Sequence, residues 1–341
     1  METDKKEPKC PKKELIGLFV AVILILILLS QIPFSTLYST LTSVNPFYLL
    51  LGFCLYLTTY LLRALRFKVI LENIGEKVRI TDLLKVLFIH NMVNQILPAR
   101  TGEISYIYLM EKRNLPVNKG ISSLALARIF DLVGVTILFM FALIVLREMN
   151  PIFLRLFTIM LMVVGMALFS LLCLFIYKNK FIEKVESLTE MLRLHKFSVT
   201  KKALEKSEEA IEDLKIIKSK KVFIYSTLLS IGIWFTGILL TYLLLAQMDV
   251  MLSIWEVCLG SLVIVITSIL PIHSFGGFGT TETIWASIYI ALGVSKEMAI
   301  ASGIGVHLIV FAYLLIIGVA GVVLMKIEGK EIFKKLRGSF Y

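Results

Sequence analysis

Charge is scarce in this chain: Asp, Glu, Lys and Arg make up 18% of its 341 residues, against about 25% in an average soluble domain. Histidine is scarcer still, with four copies scattered at positions 90, 195, 273 and 307. A metal site or a general-base enzyme needs several ligands or titratable groups converging on one spot. Such scattering, without a carboxylate cluster, argues against catalysis, and neither a metal nor a cofactor is expected. Cysteine is equally sparse. Cys10 lies in the N-terminal tail and Cys54, Cys173 and Cys258 inside apolar segments, without framework or metal-ligand spacing, so no disulfide is expected.

What is present is apolar. Hydrophobic residues reach 57% and mean hydropathy is +0.85, beyond what a soluble core holds. Runs near the roughly 20 residues needed to cross a hydrocarbon core lie at Leu15–Phe34, Pro46–Leu62, Ile121–Leu146, Ile152–Tyr177, Val222–Ala246 and Met298–Met325. The expectation is an all-α, polytopic integral membrane protein with about six spanning helices. The first run follows a Lys-rich start but lacks a small-x-small cleavage site, which makes it an uncleaved anchor. The net charge of +11 is a matter of loop placement. Lys and Arg number five before Leu15, six from Arg63 to Lys85, four from Arg100 to Lys119, twelve from Lys178 to Lys221 and five after Met325, whereas the alternate loops are nearly free of them. The positive-inside rule then expects both termini in the cytoplasm and the chain in the cell membrane. The charge therefore points to topology and not to nucleic acid.

Two further apolar stretches are broken by Pro and Gly and read as re-entrant hairpins. The first descends through Leu83–Leu97, breaks at Pro98 to Gly102 and returns through Glu103–Met110. The second descends through Ile254–Leu270, breaks from Pro271 to Gly279 and returns through Glu282–Leu292. Eight helical residues reach only about 12 Å, so the first return arm cannot span. The stretches match at Ile96-Leu97-Pro98 with Ile269-Leu270-Pro271, at Gly102-Glu103 with the glycines before Glu282, and at Leu115-Pro116-Val117 with Leu292-Gly293-Val294. Each unit reads span, broken hairpin, span, over about 46–147 and 222–326, and loop charges make the repeat inverted. The alternative is eight or more ordinary helices with Pro kinks. The membrane domain covers 15–326, with tails at 1–14 and 327–341 and an amphipathic cytoplasmic segment at 178–221.

A membrane interior tolerates charge only for a reason. Arg128 and Asp131 sit at i, i+3 on one helix face, as a functional pair or a structural clamp. Glu103 and Glu282 open return arms, where a helix N-terminus favours a carboxylate. Arg100 stands beside the first, and the N–H groups of Gly276, Gly277 and Gly279 beside the second can form a nest for phosphate oxygens. Together with Gly102 these are the candidate headgroup-binding residues. His273 is a proton-relay candidate or a hydrogen-bonded loop residue. Asn94 lines a cavity or bonds to a neighbouring helix.

In these residues the chain resembles the membrane region of lysylphosphatidylglycerol synthases and the stand-alone flippase-like proteins related to it. The family pattern of Asn, Pro, Arg and Gly-Glu looks like Asn94, Pro98, Arg100, Gly102 and Glu103. Its Arg-x-x-Asp looks like Arg128 and Asp131, and its Pro and Gly-Gly-x-Gly-x-x-Glu like Pro271, Gly276, Gly277, Gly279 and Glu282. Phe275 and Thr281 depart from it. The resemblance implies lipid translocation without the aminoacyl transfer of the full-length synthases. The implied cargo is an anionic phospholipid, a polyprenyl-phosphate-linked lipid or a glycolipid; the implied partners are membrane lipids, with a lipid-modifying enzyme or glycosyltransferase beside them. The competing expectation is a secondary transporter of a small soluble anion.

Overall fold

The computed structural model describes residues 12–97, 102–146, 219–267 and 275–326, and single positions at Thr158, Met162, Gly165 and Asp213. The expected span at Ile152–Tyr177 and the amphipathic segment 178–221 lie almost wholly outside the described residues, as do Pro98, Arg100, Pro271 and His273.

All regular structure among the described residues is helical: α1 (Lys12–Leu29), α2 (Phe34–Thr42), α3 (Pro46–Asn73), α4 (Ile80–Ile96), α5 (Glu103–Glu111), α6 (Val117–Val145), α7 (Lys220–Gln247), α8 (Ile254–Thr267), α9 (Thr280–Ala291) and α10 (Lys296–Met325), with a 3-10 turn at Phe275–Gly277. Four of them, α3, α6, α7 and α10, are long and apolar enough to cross a membrane. Large apolar side chains on their outer faces stay uncovered, among them Leu228, Ile316 and Val323, 58%, 58% and 69% exposed. A patch of that kind is costly in water and ordinary against lipid. The protein is a polytopic α-helical membrane protein.

The expected single span Leu15–Phe34 is broken. The Ser30 hydroxyl and the Gln31 amide donate to the Ile27 carbonyl at the end of α1, at 2.8 and 3.1 Å. Pro33 then opens α2 with its fixed φ and no N–H to continue a ladder, and the chain turns by 98°. A second departure has more consequence. The span expected at Pro46–Leu62 continues to Asn73, which draws Arg63 and Arg66, counted as loop charges, into a helix of the bundle.

The first hairpin is antiparallel and tightly closed. A Cβ on Gly102 would overlap the backbone of Asn94, which holds α5 against α4. Nearer the base, His90 Nδ1 and Ser105 Oγ lie 3.3 Å apart. At the open end Arg113 reaches Asp82, which also accepts from Arg79. The hairpin thus starts and ends at one level. In the second hairpin, a Cβ on Gly260 of α8 would lie 3.1 Å from the Tyr289 ring of α9.

The two units share a register that continues past the hairpins. Tyr106 bonds Ser123 at |i−j| of 17, and Trp285 bonds Ser302 at the same separation. Glu103 bonds Arg128 at |i−j| of 25, and Glu282 bonds His307 at the same separation. Asn114 and Gly293 both have positive φ (63° and 91°), and the N–H two residues before each long helix, of Leu115 or Val294, bonds back to Met110 or Tyr289. The counterpart of Leu115-Pro116-Val117 is therefore Val294-Ser295-Lys296, which corrects the match expected at Leu292-Gly293-Val294 by two residues. The first helices of the units run antiparallel, since α3 meets α7 at Gly52 against Leu240, at Leu62 against Gly232 and at Arg66 against Ser230. The units are inverted relative to each other.

Candidate functional site

A charged network occupies the junction of α3, α5, α6 and α7. Its centre is Asp131, 6% exposed. Arg66, 1% exposed, donates to it through Nη1 at 2.6 Å and Nη2 at 3.2 Å. Trp234 Nε1 donates to Oδ1 at 3.0 Å, and Arg128 Nη1 to Oδ2 at 3.3 Å. Arg66 Nη1 also donates to Ser230 Oγ at 2.7 Å, and Ser230 donates to the Ser226 carbonyl. Backbone packing makes this reach possible: a Cβ on Gly134, one turn beyond Asp131, would stand 3.0 Å from Ser230 Cβ, so only a glycine lets α7 approach so closely.

The expected Arg128–Asp131 pair is present but secondary. Asp131 belongs first to Arg66, so loss of Arg128 would not leave Asp131 unpaired. Arg128 gives its Nε and Nη2 to Glu103 Oε1 at 3.0 and 2.8 Å. Glu103 does stand in the first turn of α5, but no side chain caps that helix at Gly102; its carboxylate is turned to Arg128. Both side chains are about one-third exposed, 34% and 28%. Arg63, one turn before Arg66, lies over the Trp234 ring at 5.7 Å. Among the described residues three guanidinium groups share two carboxylates here, an excess of one positive charge.

The second unit has a smaller counterpart. Glu282, 1% exposed, takes His307 Nδ1 on Oε1 at 2.6 Å and the Gly279 N–H on Oε2 at 2.7 Å, the expected N-terminal cap. One of the three candidate nest N–H groups is thus occupied by the protein itself. Gly276, Gly277 and Gly279 have φ of 64°, 77° and 81°, a left-handed region that favours glycine. Phe278 stacks on the His307 ring at 4.5 Å. The two breaks touch, since Gln95 Nε2 at the end of α4 donates to the Gly276 carbonyl at 3.2 Å. Asn94 Oδ1 is buried without a hydrogen-bond partner.

Of the residues singled out from the sequence, Gly102, Glu103, Arg128 and Asp131 fall together at the first site, and Gly276, Gly277, Gly279 and Glu282 at the second; Arg100, His273, Pro98 and Pro271 lie outside the described residues. Arg66, Ser230, Trp234 and His307 were missed. Arg66 was recoverable from the apolar period that continues through Phe67, Ile70 and Leu71. His307 would have followed from the correct repeat register. No group of three or more metal-ligating side chains occurs among the described residues.

The lysylphosphatidylglycerol synthase TM region profile matches residues 15–318. A UPF0104 membrane protein of Pyrococcus horikoshii is 23% identical over 312 residues, 85% of this chain and 90% of that protein. The glycosyltransferase AglD of Haloferax volcanii is 29% identical over 120 residues, 35% of this chain and 19% of AglD, so the match spans about a fifth of that relative.

Proposed function

The chain belongs to the lysylphosphatidylglycerol synthase TM region family, and from that premise we propose that it translocates a lipid with an anionic headgroup across the cell membrane, with both termini in the cytoplasm. The observation that carries this reading is the Arg66–Asp131–Arg128–Glu103 network. Its inner end is buried, with Asp131 held by Arg66, Trp234 and Arg128 as a fixed anchor must be, while the Arg128–Glu103 end is one-third exposed inside apolar helices. A charge there is tolerated where it meets a polar cargo or a wet path, and the excess cation suits a phosphodiester. The lipid slides its tail through the bilayer and only its headgroup passes the junction of the two breaks.

The cargo is an anionic phospholipid or a polyprenyl-phosphate-linked or sugar-bearing lipid; similarity to a relative named as a glycosyltransferase supports the last, with such an enzyme as partner. The loop charges support the orientation. The test is reconstitution into liposomes with labelled phosphatidylglycerol, a polyprenyl phosphate and phosphatidylcholine, read by leaflet-selective quenching. Anionic lipids should be translocated faster than phosphatidylcholine, and Arg128→Gln should remove the difference. Equal rates for neutral and anionic lipids, or no lipid movement alongside uptake of a soluble anion, would sink the proposal.

A further inference from the structure

The shared register places His307 where the first unit has Arg128. Each base lies in the long helix that closes its unit, each binds a glutamate at |i−j| of 25, and each glutamate stands in the first turn of a return arm. The two pairs differ in one chemical respect. A guanidinium is always charged, whereas an imidazole exchanges its proton near neutral pH. They differ also in support, because the position one turn beyond Arg128 is Asp131 and the one beyond His307 is Val310.

Several polar groups converge beside this pair. A Cβ built on Gly277 would meet Thr281 Oγ1 at 2.9 Å, Gln95 Nε2 at 3.4 Å and His307 Cε1 at 3.7 Å. Gln95 comes from the other unit. The His307 side chain is 9% exposed, its Nδ1 is held by Glu282, and its Nε2 is buried with no hydrogen-bond partner. Because the carboxylate can only accept, Nδ1 carries hydrogen in either protonation state. Nε2 is then an acceptor when the ring is neutral and a donor when it is charged.

We propose that the Glu282–His307 pair, with Gln95, Thr281 and the Gly277 backbone, is a second tetrahedral-oxyanion site that takes up its anion together with one proton. This inference rests on the translocation reading and extends it. With the ring protonated, the pair is electrically neutral and Nε2–H donates to an anion oxygen. With the ring neutral, Nε2 presents a lone pair, the pair carries the carboxylate's negative charge, and the anion is released. The described charges on the surrounding elements stand mostly at helix starts: α9 presents only Glu282, α4 carries Asp82 and Lys85 in its first two turns and His90 paired with Ser105, α2 has no charged residue, α7 has Lys220 and Lys221 at its start, α1 has Lys12, Lys13 and Glu14 at its start, and α10 itself has Lys296 and Glu297 in its first turn. The first site binds whatever the pH and the second only when protonated, so a proton gradient would bias the direction of transfer.

The experiment is equilibrium binding to the purified, detergent-solubilised full chain between about pH 5 and pH 8, the interval in which imidazoles titrate. The probes are phosphatidylglycerol, whose phosphodiester keeps its charge throughout, and sulfate as the soluble oxyanion. Above the constant binding of the first site, wild-type phosphatidylglycerol binding should have a second component whose affinity falls by about tenfold as pH rises, the effect of one charge-assisted hydrogen bond. H307R should bind at the upper pH as tightly as at the lower, and H307Q should show only the constant binding of the first site at both. A flat wild-type profile, or an H307R profile with the wild-type slope, overturns the inference and leaves translocation standing. A pH-dependent response to sulfate equal to that for phosphatidylglycerol supports the site and overturns the lipid cargo. Absence of binding to either probe at any pH overturns both.

Discussion

At the scale of single residues, Asp131 and Arg128 separate stability from transport. Asp131→Leu leaves Arg66 buried without its carboxylate, and breaking a buried pair in this way costs about 3–5 kcal/mol. Arg128→Leu leaves Asp131 with Arg66 and Trp234 and removes the 3.3 Å contact to Asp131 and the one-third-exposed pair with Glu103, a change of about 1 kcal/mol or less. Unfolding midpoints in one detergent should therefore rank wild type and Arg128→Leu close together with Asp131→Leu far below, while both variants lose transport. A reversed ranking would make Arg128 the anchor. The turns offer a sharper contrast. Gly293, at φ 91° with nothing within 4 Å of its would-be Cβ, should accept Asn with little loss, because Asn114 already holds the equivalent position at φ 63°. Gly277→Ala meets the left-handed cost of about 1–2 kcal/mol and the Thr281 hydroxyl as well, so its midpoint should fall further than that of Gly293→Asn. The Arg128–Asp131 pair was legible because i, i+3 spacing is local. Arg66 lies 65 residues from its partner and no local period connects them.

At the scale of elements, the helices are positioned by glycines at their crossings. Gly134 on α6 faces Ser230 on α7, and a Cβ on Gly321 of α10 would stand 2.7 Å from Phe88 Cβ of α4. Gly134→Leu should force α7 outward and weaken the Ser230 and Trp234 contacts to Asp131 and Arg66 without altering any charge. Overpacking of that kind costs about 1–3 kcal/mol, and transport should fall together with the unfolding midpoint. Retention of full transport would show that α7 is dispensable for placing the network. The hairpins were readable from Pro and Gly interrupting apolar runs, and their arms fall close to where expected. The fracture between α1 and α2 was not, because Pro33 stands at the very end of the apolar run Leu15–Phe34, and the bend shows only once the Ser30 and Gln31 side chains are seen closing the Ile27 carbonyl.

At the scale of the whole molecule, inversion makes a prediction that needs no assay of cargo. If the units face opposite sides, the open end of the first hairpin, near Lys112, and that of the second, near Gly293, are on opposite faces of the membrane. Single cysteines at the two positions, in a background lacking the native cysteines, should react with an impermeant maleimide from the inside and the outside of intact cells, respectively. Labelling of both from one side would overturn the inverted arrangement in the membrane.

The sequence by itself determined which segments are helical and apolar, that two of them are broken, and that Glu103, Glu282, Arg128 and Asp131 are carried inside a membrane domain. Those properties are local, set by hydropathy over about 20 residues and by the backbone limits of Pro and Gly. The tertiary structure decided which charge meets which. It gave Asp131 to Arg66, Glu103 to Arg128 and Glu282 to His307, and brought Gln95 to the opposite break. Such pairings are fixed by helix crossings between distant segments, whose register depends on where a missing Cβ lets two backbones approach.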